Sequence, residues 1–246
     1  MKNWLTPLFV LFITCLSACK VQEEINFKKN LSGSLTYTVD MSMMQMMRTQ
    51  MQNMQPEPND SVPDLIPPVD MLGALDSLNS PNIGNAFGTI QGISNAVTKH
   101  ENGIIKISFD FKDLNALNKA YNMLRSNSFG GMKGFTPGDI PSENTSKEMP
   151  VHPYFVQKGK EIIFTRPEAK GADNLIGGAM GNMKDMQGMQ GMDEMFEYTS
   201  KITFEHKVKG IKAKNITATQ EPNAVIMKGR MQDMVKPNAE LKIRLK

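Results

Sequence analysis

From Val21 onward, apolar and polar residues alternate. Val21, Glu23, Ile25 and Phe27 share one phase, and Asn30-Leu31-Ser32-Gly33 reads as a turn. Leu35, Tyr37, Val39 and Met41 then alternate with Ser34, Thr36, Thr38 and Asp40. A period of two marks strands with one face in a core, so this stretch predicts a hairpin. The period then changes. Ser42 followed by Gln45 matches a capping box, and at about 100° per residue Met43, Met44, Met47, Met51 and Met54 fall within an arc of roughly 100°. This predicts a helix with one methionine face, and Gln45, Arg48, Thr49, Gln52 and Asn53 opposite with Met46 at their edge. Pro56 and Pro58 end it.

Residues 56–69 are rich in Pro and Asp and read as a loop. Residues 70–90 are ambiguous, their short apolar patches broken by Pro81, Gly84 and Gly88. Asn102-Gly103 lies between Ile93–Val97 and the run Ile104-Ile105-Lys106-Ile107-Ser108-Phe109-Asp110-Phe111, a strong hairpin pattern. Asp113 is placed to cap a helix with Leu114, Leu117, Tyr121 and Leu124 on its apolar side. Tyr154-Phe155-Val156 and Ile162-Ile163-Phe164, joined through Gly159, predict another hairpin. Four strands are predicted at the C-terminal end: Lys201–Val208, Ile211–Thr219, Ala224–Met231 and Ala239–Leu245. Hairpins alternate with helices, and no strand–helix–strand run suggests a parallel sheet. The predicted class is α+β: an antiparallel sheet with helices packed on one face and long Met-, Gly- and Pro-rich loops.

The N-terminus has a separate character. After Lys2 comes the apolar run Leu8–Ile13, then Leu16-Ser17-Ala18-Cys19. The run is the length of a signal-peptide core and too short to span a bilayer. Leu16-Ser17-Ala18-Cys19 resembles the lipobox of bacterial lipoproteins cut by signal peptidase II. A thiol is needed at that point because sulfur takes the diacylglycerol before cleavage. The resemblance implies removal of residues 1–18 and a triacylated Cys19. At about 0.8 kcal/mol per buried methylene, three chains anchor a domain without a transmembrane helix. The expected organisation is one lipid-anchored domain, residues 19–246, with flexible insertions near 56–90, 126–150 and 170–197. Its expected place is the cell envelope, at the outer membrane.

The opening Cys19-Lys20-Val21, with Ile25-Asn26-Phe27, Ser32-Gly33-Ser34, Tyr37 and Val39-Asp40, looks like the mature start of a group of Bacteroidota-type envelope lipoproteins. The span Lys201–Lys246 resembles their C-terminal sheet. A looser similarity is to mycobacterial LppM-like lipoproteins, whose folded domain has been linked to lipid binding. It carries no residue-level motif onto this chain. Lys20 followed by Glu23-Glu24 is similar to the surface-export signals of such lipoproteins, and equally reads as charges at a strand edge.

Composition narrows the chemistry. The two cysteines are Cys15, inside the signal, and Cys19. The mature domain of about 228 residues therefore folds on burial alone, without disulfide or cysteine-ligated metal. The net charge of +3 is uneven: residues 201–246 hold eleven Lys/Arg against four Asp/Glu. Such a basic end either lies on anionic headgroups or forms the solvated faces of strands, and its alternation with apolar residues favours the second. Nucleic acid is excluded, since no aromatics interleave with the basic residues. His100, His152 and His206 lack metal-ligand spacing. No phosphate loop or nucleophile elbow occurs, and no carboxylate pair stands out. The expectation is a non-enzymatic protein without cofactor.

Methionine is the unusual residue, 21 in all. Besides the Met43–Met54 face, Met180, Met183, Met186, Met189, Met192 and Met195 recur every third position. That spacing drifts by about 60° per step around an α-helix, and Gly181, Gly188 and Gly191 weaken a helix further. Three readings stand. The adaptable Met43–Met54 surface holds an apolar ligand, a lipid or an envelope partner. Alternatively, the Met-x-x-Met series binds Cu(I) through thioethers. Finally, methionine replaces leucine in core and linker of a purely structural protein. The first is the functional expectation, with the membrane reached through Cys19.

Overall fold

The computed structural model describes residues 20–40, 42, 45–46, 82–128, 152–166, 197–230, 233 and 238–246; for residues 82, 83 and 125–128 it describes the backbone alone. The predicted N-terminal hairpin is β1 (Lys20–Phe27) and β2 (Gly33–Asp40), in full register from Lys20↔Asp40 to Phe27↔Gly33. Gly33 is required there. A Cβ would collide with the Asn26 carbonyl oxygen and the Phe111 ring. A second hairpin, β3 (Ile93–Glu101) and β4 (Ile104–Phe111), turns on Asn102 and Gly103, both at positive φ (51° and 77°) as a type I′ turn demands. A bulge interrupts β3 between Ser94 and Val97. There Asn95 takes a positive φ, and its amide donates to Asp110 Oδ2 at 2.7 Å.

Helix α1 (Asn82–Gly88) emerges from the stretch whose pattern was ambiguous; its Phe87 is buried and stacks on Phe109. Helix α2 (Leu114–Ser128) begins where predicted: Asp113 Oδ1 accepts the Ala116 N–H at 2.9 Å. Leu117, Ala120, Tyr121 and Leu124 form its buried side. The hairpin of β5 (Phe155–Lys158) and β6 (Glu161–Thr165) also follows the pattern.

The C-terminal strands depart from the predicted boundaries. They are β7 (Glu197–Phe204), β8 (Val208–Lys214), β9 (Ala218–Gln220), β10 (Ala224–Arg230) and β11 (Glu240–Leu245). The run predicted as one strand from Ile211 to Thr219 breaks at Asn215, which sits at φ 56°. On either side of that break the chain belongs to different sheets.

The larger sheet has the order β3-β4-β2-β1-β7-β10-β9, and the smaller one β5-β6-β11-β8. All pairs are antiparallel except β1 with β7, which run parallel from Lys20↔Glu197 to Phe27↔Phe204. The predicted α+β sheet with helices on one face is therefore present, with one parallel pair at its centre. The inner face of the large sheet is covered by α1, α2 and the small sheet. The sheets join at one side, where Val208 N–H donates to the Pro222 carbonyl (2.9 Å) and Gln220 Nε2 to the Val208 carbonyl (3.2 Å).

Aromatic rings fill the space between these layers. Phe27 stacks on Phe204 and meets Phe111 and Phe155 edge-on, while Tyr121 touches Tyr154, Phe155 and Phe164. Each such pair contributes about 0.5–1.5 kcal/mol beyond area burial. The basic residues within the C-terminal strands, such as Lys201, Lys209, Lys212, Lys228 and Arg244, are exposed, in keeping with strand exteriors. Lys212 and Lys242 are register partners, and Arg244 holds Glu161 through two bonds of 3.0 and 2.8 Å. The Arg244 hydrogen bond, and then the charges of Arg244, Lys242 and Lys212, keep the Glu161 carboxyl below its ordinary range.

Candidate functional site

Two places in the structure concentrate polar chemistry. The first lies inside the core. Glu23 is in phase with Val21, Ile25 and Phe27, so the pleat of β1 carries its carboxylate inward, where it is 1% exposed. Three hydroxyls donate to it. Tyr121 of α2 reaches Oε2 at 2.6 Å; Ser200 and Tyr198 of β7 reach Oε1 at 2.8 and 3.4 Å. Ser200 is the register partner of Glu23 across the parallel pair.

Arg166 lies beside this group. It is 8% exposed, with its guanidinium 5.5 Å from the Tyr198 ring centre and 5.6 Å from that of Phe164. Arg166 Nη1 donates to the Asp233 carbonyl at 3.1 Å, while Nε finds no partner among the described residues. A buried carboxylate without donors would be costly; here hydroxyls from β7 and α2 replace its water. The cluster ties the large sheet to α2. All of its side chains are buried.

Sequence reasoning did not single out Glu23, though its phase in the strand pattern was the available sign. In the folded chain Glu23 is buried, while Glu24 is exposed on the outer face opposite Lys201.

The second place is the seam between α2 and β5, an edge strand of the small sheet. Asn118 Nδ2 donates to the Phe155 carbonyl at 2.9 Å, and its Oδ1 accepts the Phe155 N–H at 2.8 Å. One turn on, Asn122 does the same for His152, with bonds of 2.8 and 3.0 Å. Two side-chain amides thus stand in for a neighbouring strand. Burial lowers the pKa of His152, and a hydrogen bond involving Thr165 partly opposes this. The folded state therefore disfavours the protonated ring. Stability should be complete above the ordinary imidazole value near 6.5 and decline as pH falls below it. His152→Gln should flatten this part of a plot of melting temperature against pH; an unchanged slope would assign the dependence to other groups.

The residues singled out from sequence lie elsewhere. Cys19, Met43, Met44, Met47, Met51 and Met54 are outside the described residues, as are Met180, Met183, Met186, Met189 and Met192. The structure does describe the flanks. β1 begins at Lys20, immediately after Cys19. Ser42, Gln45 and Met46 are helical, and Gln45 and Met46 are exposed, on the side the helical pattern assigns to water. Ser42 donates through its N–H and hydroxyl to Asp40 Oδ1, at 3.0 and 2.6 Å. Among the described residues, no group of three His, Cys, Asp or Glu side chains is placed to hold a metal ion. No described helix is long and apolar enough to cross a membrane.

The sequence matches no family profile and no curated protein. Among solved structures, it is similar to the NMR structure of the folded domain of LppM from Mycobacterium tuberculosis. Identity is 12% over 92% of this chain and 89% of that one, with a TM-score of 0.38.

Proposed function

We propose that this chain is a non-catalytic lipoprotein of the bacterial cell envelope. It is held at the outer membrane through Cys19 and acts by binding a lipid, an apolar ligand or an envelope partner. The observation that carries the reading is the junction at Cys19. Leu16-Ser17-Ala18-Cys19 stands directly before Lys20, the first residue of β1. Cleavage before Cys19 would leave the whole hairpin of β1 and β2 intact, with the acyl chains on the residue that precedes Lys20 in sequence. β1 is an inner strand, paired on both sides, so such an anchor pulls on the middle of the fold. The binding surface in this reading includes the Met43–Met54 face expected from the sequence, which begins just after Ser42, two residues beyond the end of β2.

Cys19→Ala tests the anchor. The variant should incorporate no labelled palmitate, keep residues 1–18 and change its partition on detergent-free fractionation. A variant that is processed and partitions like the parent would remove the lipoprotein reading. The binding role is tested separately, by extracting lipids from purified protein and comparing the parent with Met47→Asp. Retention of the same co-purifying molecules by both would take the methionine face out of the proposal.

A further inference from the structure

Six strands of the large sheet begin or end along one line. Lys20, first in β1, pairs with Asp40, last in β2. Asp40 pairs with Ile104, first in β4, and Ile104 with Glu101, last in β3. On the other side, Lys20 pairs with Glu197, first in β7, and Glu197 with Arg230, last in β10. At about 4.8 Å between strands this border is about 24 Å wide. Lys20, the residue that follows Cys19 in the chain, stands near its middle. The opposite end of the sheet carries an open cavity of about 360 Å³ bordered by Lys28, Glu205 and Asn223.

The border has an unusual surface. Large apolar residues exposed among the described residues are Met46, Val97 and Ile104, at 59%, 44% and 38%. Two of them stand on this border. Ile104 directly follows the Asn102-Gly103 turn. Met46 belongs to a helical stretch that abuts the same turn, since a Cβ at Gly103 would lie 2.7 Å from Gln45 Oε1 and 2.8 Å from Ser42 Cα. Two register positions behind, Lys99 and Lys106 are exposed and face each other directly across β3 and β4. Like charges in that position are unfavourable in water, and an anionic surface opposite them relieves the repulsion. The last two rows of the outer face, from β3 to β10, carry the basic residues Lys20, Lys99, Lys106, Lys228 and Arg230. The acidic ones are Asp40, Glu101 and Glu197. Of these, Asp40 is already engaged by Ser42.

We propose that this border is a membrane-contact surface for an anionic phospholipid bilayer. Ile104 and Met46 enter the boundary between headgroups and acyl chains, and Lys99 and Lys106 reach lipid phosphates. The proposal rests on the reading of Cys19 as lipidated. It goes further by fixing which part of the domain faces the bilayer: the β3–β4 turn lies down on the membrane, and the cavity end points away from it. Apolar insertion and electrostatic attraction then add to the acyl anchor.

Trp4 is the single tryptophan of the chain and lies within the signal, so a tryptophan placed in the mature domain is a sole probe. Protein matured in cells, with acylation of Cys19 checked by mass spectrometry, is reconstituted into phosphatidylcholine–phosphatidylglycerol vesicles with brominated acyl chains. Ile104→Trp should be quenched several-fold more strongly than Asn223→Trp at the opposite end, with a blue-shifted emission. Adding Lys99→Glu and Lys106→Glu should weaken that quenching when phosphatidylglycerol is present. Met46→Trp supplies a second probe should the hairpin not tolerate the first. Equal quenching of border and Asn223 probes in acylated, vesicle-bound protein overturns the contact surface. A Cys19 that carries no acyl mass instead overturns the lipoprotein reading, and the contact falls with it.

Discussion

Glu23→Ala is expected to be among the most destabilising single substitutions in this chain, by about 3–5 kcal/mol. The side chain is 1% exposed and accepts hydrogen bonds from Tyr121, Ser200 and Tyr198. Alanine leaves a cavity between the large sheet and α2 and withdraws the acceptor from all three hydroxyls. In a domain of this size the melting temperature should fall by about 10–15 °C. Glu23→Gln separates the contributions. It keeps the volume and one carbonyl oxygen, and the Tyr121 or Ser200 hydroxyl can turn to accept from the new amide. Its cost should be about 1–2 kcal/mol. Tyr198→Phe, which removes the 3.4 Å contact, should cost less than Tyr121→Phe, which removes the 2.6 Å one. If Glu23→Ala and Glu23→Gln melt at the same temperature, hydrogen bonding is not what makes the carboxylate tolerable in the core.

Most of the fold was legible wherever one physical signal acted alone. Alternation gave β1, β2 and β4, because each of these strands has one face in the core and one in water. Asn102-Gly103 gave the β3–β4 turn, because positive φ at two successive positions strongly restricts the residue choice. Asp113 gave the start of α2. The pattern failed where position depended on distant partners. Nothing local marks β1 and β7 as parallel neighbours, because their pairing joins residues 177 apart in sequence. The break at Asn215 was hidden because Ile211, Ala213, Ile216 and Ala218 read as one interrupted alternation, although the two halves serve different sheets. Glu23 was read in phase with Val21, Ile25 and Phe27, but that phase was not taken to mean burial of its carboxyl group. An acid at an inward position of a strand predicts a set of buried donors, but those donors come from α2 and β7, which the sequence gives no way of bringing together. The asparagines of α2 were legible only as polar residues near an apolar helix face. Their role depends on β5 arriving beside them.

Asn118→Leu should therefore cost about 2–4 kcal/mol although leucine fills nearly the same space and favours helix more. β5 is at one end of the small sheet's strand order, so among the described residues one side of it has no strand neighbour. The Phe155 N–H and carbonyl point to that side, away from β6, and both are satisfied by the single Asn118 amide at 2.8 and 2.9 Å. Phe155 and Asn118 are buried, so water cannot easily replace the lost bonds. Asn122 makes the equivalent pair with His152 in a half-buried setting. There water can substitute, and Asn122→Ala should cost only about 1 kcal/mol. Hydrogen exchange gives the direct readout. The Phe155 amide should exchange much faster in Asn118→Leu, while amides in the β1–β2 hairpin should change only as far as global stability falls. The same substitution uncovers an edge strand, which invites pairing between molecules, so light scattering during heating should rise earlier than in Asn122→Ala. Unchanged protection at Phe155 in the leucine variant would mean that α2 holds β5 through side-chain packing alone. The two amides would then be consequences of that packing and not its cause.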